Sequence, residues 1–286
     1  MKDRKLIDDQ IRSSVTGSFI KLSNGTVHYE LAGPEDGKQV VLVCGLVTPL
    51  FGWDKTFKAL VDDGYRVLRF DLYGRGFSDR PDMKYTPDVF VHQLHELMLA
   101  LKLKKKITLV GWSMGGAISM FYSSKYPEKV SKLVLVASAG FPPKLPLASK
   151  LLTVPVLGKW LMSKFGEKSI FKGLRGHFGD PDAYPDYYKN SKIQMQYKGF
   201  KRTLLSTMIN FPFNQLSPLV VKVGKLSIPV LLIWGKKDNI TPYDSVTQFK
   251  EAIPHAQLLD FKEAKHAVHY EYYQKVNEKI IAFLGA

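Results

Sequence analysis

The sequence predicts an α/β fold: a mostly parallel sheet flanked by helices and interrupted late in the chain by a helical insertion. Three observations carry this. Short apolar runs alternate with helix-length segments along most of the 286 residues. The alternation fails between about residues 140 and 217. A serine flanked by glycines stands at one strand-to-helix junction. Alternation of this kind marks a doubly wound sheet, because parallel strands need a crossover between them and a helix supplies it.

The first elements form a hairpin. Residues 18–22 and 26–31 read as strands either side of Ser23-Asn24-Gly25, and Asn-Gly between extended runs is a turn signal. Six further strands are expected at 40–44, 66–70, 107–110, 133–136, 230–234 and 257–261. These runs are rich in Val, Ile and Leu and too apolar to alternate, as strands covered on both faces are. Helices are expected at 87–101 and 115–125, and a last one carries Tyr272, Val276, Ile280, Phe283 and Leu284 at helical spacing. Eight strands and their helices form a core of residues 1–139 and 218–286. Residues 140–217 have no convincing strand and read as the insertion.

Composition narrows the classes. Formal net charge is +15, and residues 141–215 hold 12 Lys or Arg against 4 Asp or Glu, a net of +8. Such a surplus suits peripheral contact with an anionic membrane surface or serves solubility. No nucleic-acid-binding motif accompanies it, so no nucleic-acid partner is expected. No run of eighteen apolar residues occurs. The N-terminus lacks the apolar core of a signal peptide, so with Met1 as the native start the expectation is cytoplasmic. Cys44 is the single cysteine, which excludes an internal disulfide and a cysteine-based zinc site.

The strongest motif is Gly111-Trp112-Ser113-Met114-Gly115, after the run 107–110 and before a helix. A serine in this setting sits on a turn too tight for side chains on its flanks. The turn lifts its hydroxyl clear of the sheet at a helix N-terminus, where N–H groups favour developing negative charge. A serine nucleophile needs a base, and the base needs an orienting acid, in the chain order Ser, Asp, His. Asp238 follows the run 230–234, and His266 lies in the loop after the last strand. The carboxyl ends of parallel strands are where three such residues converge. His269 is the competing histidine, but it falls where the last helix starts. Asp71 and Asp260 are the competing acids. Asp71 reads as the anchor of the turn 71–78. The segment Ala137-Ser138-Ala139-Gly140, after the run 133–136, offers no carboxylate.

With these residues in view, the chain resembles the α/β-hydrolase superfamily, and within it the esterase and monoacylglycerol-lipase-like branch. The likeness covers nearly everything outside the insertion. It rests on the Ser113 turn, on Asp71-Leu72-Tyr73-Gly74-Arg75-Gly76-Phe77-Ser78-Asp79-Arg80-Pro81, on Trp234-Gly235-Lys236-Lys237-Asp238, and on Lys265-His266-Ala267. It implies an eight-stranded sheet, a cap made by residues 140–217, and an oxyanion hole formed by the backbone N–H groups of Leu46 and Met114. The family's usual His-Gly pair reads Cys44-Gly45 here. The missing histidine predicts a looser loop at 47–53, with Cys44 as a small buried residue. Phe141, Leu151, Leu152, Trp160, Phe165 and Phe171 suit an apolar acyl or alcohol group or the cap's own core.

The resemblance implies hydrolysis of small to medium apolar carboxylic esters, monoacylglycerols among them, with no metal or organic cofactor. Carbon–carbon bond hydrolysis of ring-fission products and perhydrolysis are alternatives on the same three residues. A receptor that keeps them without turnover is the non-enzymatic alternative.

Overall fold

A computed structural model describes residues 5–141 and 154–286. Eight strands form one sheet: β1 (Ser18–Leu22), β2 (Gly25–Ala32), β3 (Gln39–Val43), β4 (Arg66–Phe70), β5 (Ile107–Trp112), β6 (Val130–Val136), β7 (Val230–Gly235) and β8 (Gln257–Phe261). Their spatial order is β1-β2-β4-β3-β5-β6-β7-β8. β2 runs antiparallel to β1 and β4, and every other pair is parallel. The chain's apolar runs account for this layout. β3, β5 and β7 are buried at every position, whereas edge strands β1 and β8 keep exposed residues. One detail differs from the sequence reading. Leu22 pairs with Gly25, so Ser23-Asn24 make the turn and Gly25 opens β2. Glycine is needed there because its φ is +148° and a Cβ would lie 2.8 Å from that of Asp79.

Helices cover both faces. Short α1 (Asp9–Ser13) starts on the Asp8 carboxylate, which accepts from the Ile11 N–H at 2.9 Å. α2 (Asp54–Asp62), α3 (Pro87–Ala100, with Pro in its first turn) and α4 (Met114–Lys125) follow. Between β6 and β7 lie α5 (Pro155–Arg175), α6 (Pro185–Ile193), α7 (Phe200–Asn210) and α8 (Ser217–Gly224), and no strand belongs to that stretch among the described residues. The core closes with α9 (Ser245–Ala252), α10 (Val268–Glu271) and α11 (Tyr273–Gly285).

Hydrogen bonds tie the helices between β6 and β7 to the core, among them two groups at the strand ends. On α7, Arg202 donates to the carbonyls of Arg80 (2.6 Å) and Pro81 (3.1 Å), and the Thr203 hydroxyl donates to Gly74 O. After α5, the His177 carbonyl accepts from the Ala267 N–H at 2.9 Å, and the Gly179 N–H donates to Glu271. These bonds hold α5–α7 against the loops at the carboxyl ends of the strands.

The apolar residues named for this stretch do not share one fate. Leu151 and Leu152 lie outside the described residues. Phe141 packs edge-on against Phe249, and Phe171 against Tyr188. Trp160 and Phe165 face solvent, 52% and 47% exposed, which removes them from both a substrate wall and an internal core. α5 has one buried stripe, which includes Met162 and Leu174, and the remaining faces of a 21-residue helix are outside it.

Candidate active site

Ser113 is the single residue between the end of β5 and the start of α4, with φ +56° and ψ −120°. This conformation is strained for a residue with a side chain and is held by its surroundings. The Ser113 N–H donates to Val136 O, and its carbonyl accepts from the N–H groups of Gly116 and Ala139, each at 3.0 Å. The flanking glycines are sterically required. A Cβ on Gly111 would lie 2.4 Å from Gly115 O, and one on Gly115 would lie 2.2 Å from Val43 O. Gly45 faces the turn from the end of β3, where a Cβ would come 3.3 Å from Ser113 Cβ. The residues expected to supply oxyanion donors, Leu46 and Met114, therefore follow directly on two segments that meet at Ser113.

Asp238 and His266 are brought together. Asp238 Oδ1 accepts from the N–H groups of Ile240 (2.8 Å) and Thr241 (3.0 Å). Oδ2 accepts from the Thr241 hydroxyl (2.7 Å) and from His266 Nδ1 (2.8 Å). Burial alone raises the carboxyl's pKa, but His266, Thr241 and the Ile240 N–H outweigh it and hold the group below the usual carboxylate range. Donation from Nδ1 fixes the tautomer and leaves the lone pair on Nε2, the nitrogen a general base uses. The pair is joined to the serine turn through Trp112, whose Nε1–H donates to the His266 carbonyl at 3.0 Å and whose ring lies 5.4 Å from the imidazole.

The competing residues have other partners. His269 Nε2 donates to Gly52 O at 3.1 Å, and its ring packs on Trp53 and Trp112. Burial pushes its pKa down to about 3, so it stays neutral. Asp71 accepts from His28 Nδ1 (2.7 Å) and from the N–H groups of Leu50 (2.8 Å) and Phe77 (2.9 Å), the anchoring role expected of it. Asp260 binds Tyr243 and Lys236.

The loop after Gly45 is better held than the sequence suggests. Cys44 Sγ donates to Pro49 O at 3.2 Å, and burial pushes its pKa well above the usual thiol range. Arg75 Nε donates to Leu46 O (2.8 Å), Gln194 Nε2 to Val47 O (2.6 Å), and the Thr48 and Tyr187 hydroxyls share a hydrogen bond of 2.7 Å. The missing histidine is thus replaced by side chains from distant segments.

Several contributors escaped the sequence reading. Thr241 had a signal, since an Asp followed three residues later by Thr suits a local side-chain turn. Arg75 lies in the segment 71–81, yet nothing local shows that it is 1% exposed. It donates to Leu46 O, to Tyr73 O and to the Thr207 hydroxyl of α7. Burial lowers its pKa only to about 10, so it is a cation at neutral pH. His177 has no sequence signal. Its ring lies 5.3 Å from that of His266, and its Nδ1 bonds to the Tyr187 hydroxyl at 3.0 Å. Burial, then His266 and His269, push its pKa well down. Among the described residues, no group of three or more His, Cys, Asp or Glu side chains is placed to hold a metal ion. Among them, too, no helix is long and apolar enough to cross a membrane.

The fold agrees with what comparison finds. Residues 38–272 match the family described as alpha/beta hydrolase fold, and the chain belongs to it. Over 240 residues the chain is 30% identical to Lipase 3 of Moraxella sp. (strain TA144), spanning 80% of this chain and 72% of that protein. Over 291 residues it is 25% identical to 2-hydroxy-6-oxononadienedioate/2-hydroxy-6-oxononatrienedioate hydrolase of Paraburkholderia xenovorans, spanning 96% and 97%. An esterase from Exiguobacterium antarcticum shares the fold, with a TM-score of 0.79 at 22% identity, covering 95% of this chain and all of that one.

Proposed function

We propose that this hydrolase cleaves carboxylic esters of small to medium apolar acyl groups, with monoacylglycerols in its range, through Ser113, His266 and Asp238. The observation that carries the reading is the 2.8 Å bond from His266 Nδ1 to Asp238, tied by Trp112 to the strained turn that presents Ser113. His266 Nε2 takes the Ser113 proton as Oγ attacks the ester carbonyl. The tetrahedral oxyanion receives the N–H groups of Leu46 and Met114. Collapse expels the alcohol, protonated by His266, and leaves an acyl-enzyme. Water, deprotonated by the same imidazole, releases the acid and restores Ser113. Each oxyanion donor contributes about 3 kcal/mol to such a step.

The neighbours of His266 support an uncharged substrate, because burial holds both His177 and His269 neutral. Residues 140–217 act as the cap in this proposal, supported by the bonds that hold α5–α7 over the strand ends. The dienedioate-hydrolase relative supports the competing carbon–carbon reading. Two experiments test the proposal. A fluorophosphonate should label Ser113, with peptide mapping to locate the adduct. Turnover of p-nitrophenyl esters of rising chain length and of monoacylglycerols should exceed turnover of a vinylogous diketone. Labelling elsewhere overturns the nucleophile, and a preference for the diketone overturns the ester.

A further inference from the structure

α5 presents a ridge that the active site leaves unused. Val156, Trp160, Lys164, Lys168 and Lys172 recur at every fourth position, a row that winds round the helix by about 40° per step, and all five are exposed; Trp160 to Lys172 span about 120° of the helix surface. The row begins apolar, with Val156 82% and Trp160 52% exposed, and continues basic. Phe165 sits beside it, edge-on to Trp160 at 6.0 Å, and the Lys164 ammonium lies over both rings. Residues 154–175 hold five basic side chains against one acidic.

Two costs attend this ridge. Lysines spaced by four repel one another on a helix. An exposed Trp–Phe pair beside valines leaves apolar surface in water. An anionic lipid surface relieves both, because phosphates neutralise the lysines while an aromatic ring with a polar edge settles at headgroup depth. We propose that this face of α5 docks on an anionic bilayer, with Trp160 and Phe165 entering the interface and Lys164, Lys168 and Lys172 facing lipid phosphates. The charge complementarity extends beyond the ridge, since residues 141–215 are net +8. The same helix leads to His177 beside His266. Trp160 lies fifteen residues before the end of α5, about 22 Å along the axis at a 1.5 Å rise, and Lys172 lies three residues before it. The proposal gives this face the role of an anchor and no part in hydrolysis, so it stands apart from the ester reading.

The protein carries its own reporter. Trp53, Trp112 and Trp234 are buried, so Trp160 is the exposed one of four tryptophans. The full chain is sedimented with vesicles of phosphatidylcholine alone and of phosphatidylcholine with 30 mol% phosphatidylglycerol, at about 0.05 and 0.5 M NaCl, a range over which screening tightens severalfold. Binding is expected only to the anionic vesicles and is expected to fall with salt. Each lysine near such a surface adds roughly fivefold to affinity, so Lys164→Gln/Lys168→Gln/Lys172→Gln should weaken binding about a hundredfold. Acyl-brominated lipid should quench Trp160, and Trp160→Glu should abolish binding. Circular dichroism of both variants should match wild type, and turnover of soluble p-nitrophenyl acetate should equal whatever wild type shows. Equal binding to both vesicle types, or none to either, overturns the proposal. So does a bound state in which acrylamide still reaches Trp160, or a vesicle-free dimer that buries it.

Discussion

Thr241→Val isolates one hydroxyl in the Asp238–His266 pair. In the native protein this group has one proton and two acceptors within reach: Asp238 Oδ2 at 2.7 Å and Ala137 O at 3.1 Å. The charged and closer acceptor takes it. Valine keeps the branched shape and the backbone N–H that holds Oδ1. A hydrogen bond to a charged group contributes about 1.5–3 kcal/mol, which corresponds to about one to two pH units on the Asp238 pKa. The sign follows from linkage. Asp238 titrates below its unfolded value, so its contribution to stability is present above the unfolded pKa and is lost as pH falls through the folded one. Valine moves the folded pKa upward, so the variant should lose about 1.5–3 kcal/mol at pH 7 and begin acid unfolding at higher pH. With the carboxylate less firmly oriented, kcat should fall on the order of tenfold while KM holds, because the hydroxyl faces Asp238. Thr241→Ser should recover both. Urea midpoints followed from pH 3 to 8, together with p-nitrophenyl butyrate kinetics, measure the two effects. A variant with kcat within twofold of wild type and an unmoved acid transition would refute the assignment of this proton to Asp238.

Four other outcomes are expected. His266→Ala should lose on the order of 10⁴-fold in kcat, whereas His269→Gln, whose native bond goes only to Gly52 O, should keep a measurable fraction; steady-state kinetics of the two compare them directly. Arg75→Met should leave Leu46 O and Tyr73 O without a buried donor, lowering stability by about 3 kcal/mol and kcat more than KM, read by urea unfolding and ester kinetics. Burial alone lowers the His28 pKa, but Asp71 outweighs it and raises it, so this pair's stability is present below the unfolded histidine pKa and is lost as pH rises through the folded one. The wild-type advantage over Asp71→Asn in urea should accordingly be larger at pH 6 than at pH 8.5. Gly115→Ala should yield no folded protein by circular dichroism, because its Cβ would meet the backbone oxygens of Val43 and Cys44 at 2.2 and 2.5 Å.

The sequence by itself determined what depends on neighbours along the chain. Its doubly covered strands were legible because burial on both faces removes alternation, as in β3 and β7. The serine turn was legible because so tight a junction tolerates only glycine two residues to either side of Ser113. Asp238 and His266 were legible because each follows a strand at the sheet's carboxyl edge, and the structure then put Nδ1 of one 2.8 Å from the other. Tertiary structure alone decided the rest. Arg75 reads as one more surface arginine until Thr207, 132 residues away, and Leu46 close over it. His177 and Tyr187 gain meaning only when the helices between β6 and β7 fold back onto His266 and Thr48. Trp160 reads as core until α5 turns it to solvent. Backbone propensity and hydrophobic period are written over a few residues. Which side chain is desolvated, and by what, depends on where segments more than a hundred residues apart come to rest.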